Sequence, residues 1–460
     1  MGLEDIADTI TALSTPAGEG GIGIVRLSGK AALRIADEIF VSASGIKPSG
    51  FKTYTTHYGK VIENGEVIDE AILTVMLAPK SYTREDIVEI NCHGGIVALR
   101  DVLQLTLRHG ARLAQPGEFT RRAFLSGRID LAQAEAVIDI VRAKTDAALK
   151  ISAEQLGGGL SRQVNKVRRI LLDVLAFIEA DIDFPGEDSG GLNLNEVTAK
   201  LKPALTKLKD LIKGFSEGKV IREGIKAVIC GRPNVGKSSL LNALLREERS
   251  IVTSCAGTTR DTIEELIDIK GIPVRIADTA GILEPKDLIE HKAVKRARRY
   301  IDSADIVVLL FDGGKSLNRD DLKLIRKLKE RTVIAVINKM DARQKIDIDK
   351  IKRTFTRVFK ISAKNARNIN LLEDAIADLV YRGKVPAQEP VLVSNYRHAE
   401  LLRKAQKLIE EALVSLDNKV PGEFIAYEIK GAVGFLDDIL GKNFSEDLLD
   451  KIFSKFCIGK

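Results

Sequence analysis

The sequence predicts a multidomain chain in which an α+β N-terminal domain is followed by a discontinuous all-α domain, with an α/β P-loop domain inserted into the helical one. Three observations predict it. Short strands and turn signals alternate at the start of the chain, apolar positions recur at helical spacing on both sides of a central segment, and that segment opens with a glycine-rich phosphate loop. The expected boundaries are 1–120 for the α+β domain, 121–216 and 388–460 for the two helical parts, and 217–383 for the inserted unit. At 460 residues, about three domains is the expected number.

In the first domain, Gly21–Arg26 and Ala71–Leu77 read as strands, Asn64-Gly65 as a hairpin turn, and Val97–Arg108 as an amphipathic helix. Gly18, Gly20 and Gly23 spell Gly-x-Gly-x-x-Gly, but they lead into a strand. A dinucleotide site would need them to join a strand to a helix, so that reading has little weight. From about Asp130 the pattern turns helical, with Val164, Val167, Leu171, Val174 and Ile178 on one stripe until Phe184-Pro-Gly breaks it. A second helical region after Pro390 places Leu401, Leu402, Leu408, Ile409 and Leu413 on one face. Helices of this kind cannot bury their stripes alone, and packing the two regions together is the simplest architecture; two separate helical pieces is the alternative.

In the inserted unit the apolar run Lys226–Cys230 reads as a buried strand turning through Gly231-Arg-Pro-Asn-Val-Gly-Lys-Ser238. Glycines there let backbone N–H groups close on phosphate oxygens, and a helix beginning near Ser239 directs its positive end at the anion. Asn234, Val235, Gly236, Lys237, Ser238 and Ser239 are therefore expected nucleotide contacts. Lys237 is expected at the β- and γ-phosphates, as ligand and catalytic group, and the Ser238 hydroxyl at Mg²⁺. The base is identified by Asn338, Lys339, Met340 and Asp341, which end an apolar strand. The Asp341 carboxylate can accept from guanine N1–H and the 2-amino group, a donor pair adenine lacks. Between them stand Gly257, Thr258 and Thr259, the last an expected Mg²⁺ ligand, and Asp278, Thr279, Ala280 and Gly281, whose aspartate holds the metal through water. Ser362, Ala363 and Lys364 are expected to close over the base. Any one motif alone is weak; five in this order imply GTP.

The residue after Gly281 is Ile282, which cannot orient a hydrolytic water, so another group must. Glu284, Asp287 and Glu290 are candidates, and spacing alone does not choose among them. Asn234 offers a side-chain oxygen beside the phosphates, where a monovalent cation would add positive charge; a turn-forming Asn after Pro233 is an equal alternative.

The chain carries Cys92, Cys230, Cys255 and Cys457 without Cys-x-x-Cys spacing, so reduced thiols are expected, with neither a zinc site nor a disulfide framework. No apolar run is long enough to span a bilayer, and the start of the chain lacks a basic, then apolar secretion signal; a cytoplasmic location is expected. A net charge of +7 permits an RNA partner without showing one. The terminal Phe456-Cys-Ile-Gly-Lys460 is a poor lipidation signal. As a bare pattern, a frayed tail is a commoner explanation than a functional thiol.

Taken with Thr15-Pro-Ala-Gly-Glu-Gly-Gly-Ile-Gly-Ile-Val-Arg26, Pro116-Gly-Glu-Phe-Thr-Arg-Arg-Ala-Phe-Leu125 and Gly257-Thr-Thr-Arg-Asp261, that terminus makes the chain resemble, over its whole length, the MnmE (TrmE) family of tRNA wobble-uridine modification GTPases. The resemblance implies a folate-binding N-terminal domain, homodimerisation through it, and K⁺-activated GTP hydrolysis by paired G domains. It also implies a flavoprotein partner, MnmG. Together the two would add an aminomethyl or carboxymethylaminomethyl group to C5 of uridine 34 in certain tRNAs, from a 5-formyl- or methylene-tetrahydrofolate donor. The family's K⁺ ligands fall on Asn234, Thr253, Cys255 and Thr258, and its nucleotide contacts extend through Ser254 and Ala256. The water-positioning glutamate falls on Glu290, the folate contacts on Arg26, Glu89, Arg128 and Lys460, and the tail cysteine on Cys457. Arg128 stands where many members have lysine. A different class of function, a GTP-dependent RNA or ribosome-assembly switch, would have no use for folate or Cys457, and no KH-type Gly-x-x-Gly module supports it.

Overall fold

The computed structural model describes residues 8–16, 18–183, 194–245, 264–278, 300–381 and 393–460, with backbone alone for Glu264 and Asp278. They fall into two compact units. One comprises Met1–Val141, Gln155–Ala204 and Lys404–Lys460; the other comprises Arg142–Glu154 and Leu205–Arg403.

The first unit opens with a seven-stranded sheet in the order β3-β4-β5-β6-β2-β1-β7. Its strands are β1 (Ile10–Leu13), β2 (Gly20–Ser28), β3 (Phe40–Ser42), β4 (Thr55–Glu63), β5 (Glu66–Met76), β6 (Ile87–Gly94) and β7 (Arg112–Leu113). β2 and β5 contain the two expected strands. The expected turn joins β4 to β5, with Asn64 at φ 51° and Gly65 at φ 86°, the left-handed pair that a tight hairpin of native twist requires. Helices α1 (Ala32–Ile39) and α2 (Ile96–Arg108) cover one face through Ile35, Ile39, Leu99, Val102 and Leu105. Gly23 explains part of the glycine pattern near the start: a Cβ there would lie 2.5 Å from Leu99 Cδ2, so the residue is needed for helix packing.

The rest of this unit is helical. α3 (Glu118–Leu125) and α4 (Leu131–Arg142) share a core with α15 (Glu446–Phe453) that includes Phe124, Leu131, Phe453 and Phe456. α5 (Asp146–Leu156) belongs mostly to the second unit; the first resumes with α6 (Gly159–Asp183), whose Val164, Val167, Leu171, Val174 and Ile178 are all fully buried, as the spacing predicts. α6 packs against α14 (Gly422–Leu440), joining the two helical stretches of sequence. On α13 (Tyr396–Asp417), which begins in the second unit and continues into the first, the buried stripe is Leu402, Ala405, Ile409, Ala412 and Leu416, with Leu401, Leu408 and Leu413 only half buried at its margins. The expected face is therefore rotated, because alanines permit closer helix approach than the leucines beside them. The break at Phe184-Pro-Gly lies outside the described residues.

The second unit is a doubly wound α/β sheet ordered β13-β12-β11-β8-β10-β9. β8 (Ile225–Gly231), β10 (Ile272–Asp278), β11 (Ile306–Asp312), β12 (Val333–Asn338) and β13 (Val358–Lys360) are parallel, and β9 (Glu264–Ile269) pairs antiparallel with β10. Strands buried on both faces read as continuous apolar runs, which is why Ala227–Cys230 and Ile334–Ile337 were legible. The helices α7 (Leu194–Lys213), α8 (Phe215–Glu223), α9 (Lys237–Leu244), α10 (Arg319–Leu328), α11 (Ile348–Lys352) and α12 (Ile369–Tyr381) complete the order, α7 beginning in the first unit. Among the described residues no helix is long and apolar enough to cross a membrane.

Candidate functional sites

From β8 the chain passes to the edge strand β9 and returns to β10 on one side, then continues through β11, β12 and β13 in turn on the other. β8 thus marks the switch point of the sheet, where parallel α/β folds bind ligands beyond the carboxyl ends of their strands. The phosphate-loop residues follow it. Gly231 has φ 153°, Asn234 φ 63° and Gly236 φ 99°, and the loop ends at Lys237, the first residue of α9. Three positive φ values in six residues direct successive N–H groups into one concavity at a helix N-terminus, the geometry that holds a phosphate. A Cβ on Gly236 would overlap Asn338 Nδ2, so only glycine fits.

Asn338 ties the motifs together. It is 2% exposed; its Nδ2 donates to Val235 O at 2.8 Å, and its Oδ1 accepts from Ala363 N at 2.9 Å. One side chain thereby joins the phosphate loop to the two segments expected at the base. Lys339, itself at φ 63°, donates to Asn234 O at 2.8 Å and pairs with Asp312 at 2.7 Å. Ser362 Oγ donates to Asp341 Oδ1 at 2.5 Å, orienting an exposed carboxylate and holding it below its usual range. Lys237 is buried, with Nζ donating to the carbonyls of Gly231 and Arg232 at 3.2 and 3.0 Å, which holds its charge inside the loop. Ser238, Ser239 and Lys364 are exposed, Met340 is half buried, and Asp278 is the last residue of β10. Thr253 through Thr259, Thr279 through Gly281, and Glu290 lie outside the described residues, as does Cys255. Cys230 is a buried strand residue whose thiol burial pushes up to about 12, which suits packing and not chemistry.

Two contributors escaped the motif reading. Asp312 ends β11; burial would raise its carboxyl, but Lys339 and the Gly314 N–H outweigh that and lower it. Arg232 in the phosphate loop pairs at 2.8 Å with Asp321, itself part of the Asn318 capping box that starts α10. An apolar run ending in aspartate was the available signal for Asp312; nothing in the local sequence signals the Arg232–Asp321 pair.

A second constellation lies in the other unit. Arg26 on β2 stands opposite Glu89 on β6, and their side chains pair at 2.7 Å. The C-terminal tail reaches the same place. Arg26 Nη1 donates to Gly459 O at 3.3 Å, Ser14 Oγ donates to that oxygen at 3.4 Å, and Gly117 N donates to Cys457 O at 3.4 Å. Gly459 has φ 92°, and a Cβ there would overlap Leu13 O. With Phe456 buried beside Phe453, the tail is docked, in contrast to the frayed end that its pattern alone favours. Cys457 is left exposed and Lys460 half buried. Arg128 lies over the Tyr82 ring at 4.9 Å, and both Arg128 and Arg26 act electrostatically on the Tyr82 hydroxyl, which burial raises overall. Cys92, buried with its thiol pushed up to about 11, takes no part.

The Pro116–Leu125 motif frames this site. Arg122, 4% exposed, pairs with Asp8 at 2.6 Å, Glu85 at 3.1 Å and Glu118 at 3.1 Å, and Arg112 adds a 2.7 Å pair to Glu118. The network clamps α3 to the sheet.

A phosphate loop at the switch point, with a guanine-type Asn-Lys-x-Asp tetrad bonded directly to it, defines a P-loop GTPase. Family models described as "GTP-binding protein TrmE N-terminus" and "MnmE helical domain" match residues 9–128 and 131–457. The chain is 45% identical over 460 residues to the tRNA modification GTPase MnmE of Clostridioides difficile, covering 99% of this chain and 100% of that one. It is 43% identical to the Bacillus subtilis protein of the same name, over 98% and 100% of the two chains. The crystal structure of a single-residue variant of Aquifex aeolicus Era bound to GDP.AlF4- is similar over 40% of this chain and 66% of that one, at 29% identity and a TM-score of 0.28. The chain belongs to the MnmE family of tRNA modification GTPases, and is a GTP-hydrolysing enzyme of tRNA modification.

Proposed function

We propose that this GTPase acts with a flavoprotein partner, MnmG, to add an aminomethyl or carboxymethylaminomethyl group to C5 of uridine 34 in certain tRNAs. A tetrahydrofolate derivative would be the one-carbon donor. The observation that carries the reading is the C-terminal tail held 3.3 Å from the Arg26–Glu89 pair. A GTP-dependent binding switch has no need of a buried tail glycine and an exposed cysteine at such a place.

The residues there fit a folate. Glu89 supplies acceptors and Arg26 donors for a pterin ring edge, while Arg128 and Lys460 supply cations for the glutamate carboxylates. The donor, when bound, supplies a carbon at the formyl or methylene level. The chain's own part is to hold and orient it, and to keep the Cys457 thiol at its edge.

In the G domain, Lys237 would neutralise charge on the β- and γ-phosphates, and Ser238, Thr259 and, through water, Asp278 would hold Mg²⁺. Asn234, Thr253, Cys255 and Thr258 would hold K⁺, which when bound would supply positive charge beside the phosphates when two G domains of a homodimer pair. Glu290 positions the attacking water. Equilibrium binding of 5-formyltetrahydrofolate to the full chain and to its Arg26→Ala variant tests the one-carbon site. Binding by the parent, weakened at least about ten-fold in the variant as expected for a lost charged hydrogen bond, is the expected result. No binding by the parent would overturn the folate reading.

A further inference from the structure

A cavity of about 520 Å³ opens between the start of α4, the N-terminal part of α6 and the loop that joins α14 to α15. It shares Arg128 with a smaller cavity lined by Tyr82 and Arg84, and none of its lining residues belongs to the phosphate loop. Its floor is aromatic. Phe124 is buried, and Phe444 meets it in a T-shaped pair at 5.3 Å while remaining 46% exposed, so part of the Phe444 ring stays open to the cavity and to solvent. Gly441 makes this possible. It ends α14 at φ 72°, and a Cβ there would lie 2.7 Å from the Phe124 ring.

The rim is cationic. Arg128 and Lys442 are exposed and line the opening. Along α6, next to the lining residue Asn165, Arg162, Lys166 and Arg169 are exposed at one-turn spacing and form a stripe about 10 Å long. Acids stand on the same part of the unit: Asp130 lines the cavity and accepts from Gln133 N, Asp173 ends the stripe, and Glu446 and Asp447 are exposed just beyond Phe444. Arg128 apart, Lys442 and the three cations of the stripe concentrate positive charge along α6, which suits a polyanion. An open aromatic face set among them is the arrangement that holds a single-stranded nucleic acid, with bases stacked on rings and phosphates on Lys and Arg.

We infer that this cavity takes one unstacked nucleotide of the tRNA, its base against Phe444 and its flanking phosphates on Lys442 and the α6 stripe. The inference rests on tRNA being the substrate and names where it docks. Asn165 Oδ1 and the second Asp130 oxygen provide acceptors for N–H groups on the base edge.

The test is equilibrium binding of unmodified tRNA to the full chain at several salt concentrations, with Phe444→Ala, Phe444→Leu, Lys442→Glu, Arg169→Glu and, as a remote control, Lys47→Glu. An unchanged urea midpoint followed by far-UV circular dichroism certifies folding, since the substituted residues and the phosphate loop lie in different units. We expect both Phe444 variants to weaken binding about five-fold or more with the salt slope unchanged, as for a lost stacked base. Lys442→Glu and Arg169→Glu should weaken it and each lower the salt slope by about one or more, and Lys47→Glu should do neither. Parental tRNA affinity in all the variants would overturn the docking site while leaving tRNA modification standing. Lost binding of a protein partner with parental tRNA affinity would overturn it also, in favour of a protein interface. A parent chain that binds no tRNA would overturn both readings.

Discussion

Asn338 and Gly236 show how much of the nucleotide site depends on single atoms. The Asn338 amide makes two buried hydrogen bonds to two different loops, so Asn338→Ala leaves Val235 O and Ala363 N without that partner. Each buried unsatisfied group costs about 1–3 kcal/mol. We predict at least ten-fold weaker binding of GTP and of GDP alike, measured with a fluorescent guanine nucleotide, since both loops are used by either ligand. Gly236→Ala forces a side chain into a left-handed backbone and against the same amide; it should abolish nucleotide binding, and parental affinity would contradict the packing described. Glu290→Ala should leave GTP binding intact and slow hydrolysis strongly in single-turnover assays. Equal rates would return the choice among Glu284, Asp287 and Glu290 to an open one.

Among elements, α3 and the C-terminal tail depend on charges and a glycine that come from distant parts of the chain. Burial alone would raise the Glu118 carboxyl, but Arg112, the Gln115 N–H and Arg122 outweigh it and lower it. A carboxyl lowered on folding contributes stability that is present above its unfolded pKa of about 4.3 and is lost as pH falls through the lower folded value. Urea midpoints should therefore drop below about pH 4.5, and Glu118→Gln should flatten that acid limb; an unchanged limb would rule out this network as its source. Arg122→Ala leaves several carboxylates facing each other around a buried position and should cost about 3 kcal/mol.

The same elements show what could be read from the sequence. The phosphate loop, the Asn-Lys-Met-Asp tetrad, the Asn64-Gly65 hairpin and the α6 stripe were legible because each is a local pattern of residue types. Pairs such as Lys339–Asp312, Arg232–Asp321 and Arg122–Asp8 were not, because their partners are distant in the chain and meet only once the sheets form. Periodicity on α13 favoured leucines and missed Ala405 and Ala412, which are buried because they are small. The tail was illegible for a related reason: the carbonyl of Gly459 becomes a partner only when β1 and β2 present Ser14 and Arg26 to it.

At the scale of the whole molecule, one unit carries the G domain that binds and hydrolyses GTP, and in the other the chain's terminus meets its first strands. K⁺ should accelerate hydrolysis well above the rate in Na⁺ at equal ionic strength, and Asn234→Ala should remove that difference; the same rate in both ions would set the cation role aside. The central claim is that the docked tail takes part in tRNA modification, and mass spectrometry of nucleosides tests it most directly. tRNA would be taken from cells lacking this chain and from the same cells supplied with the parent or with Cys457→Ser. The account predicts that 5-aminomethyl-type wobble uridines disappear without the chain, return with the parent, and fail to return with Cys457→Ser although its GTP hydrolysis is parental. Wobble nucleosides unchanged by loss of the chain, or restored in full by Cys457→Ser, would contradict it.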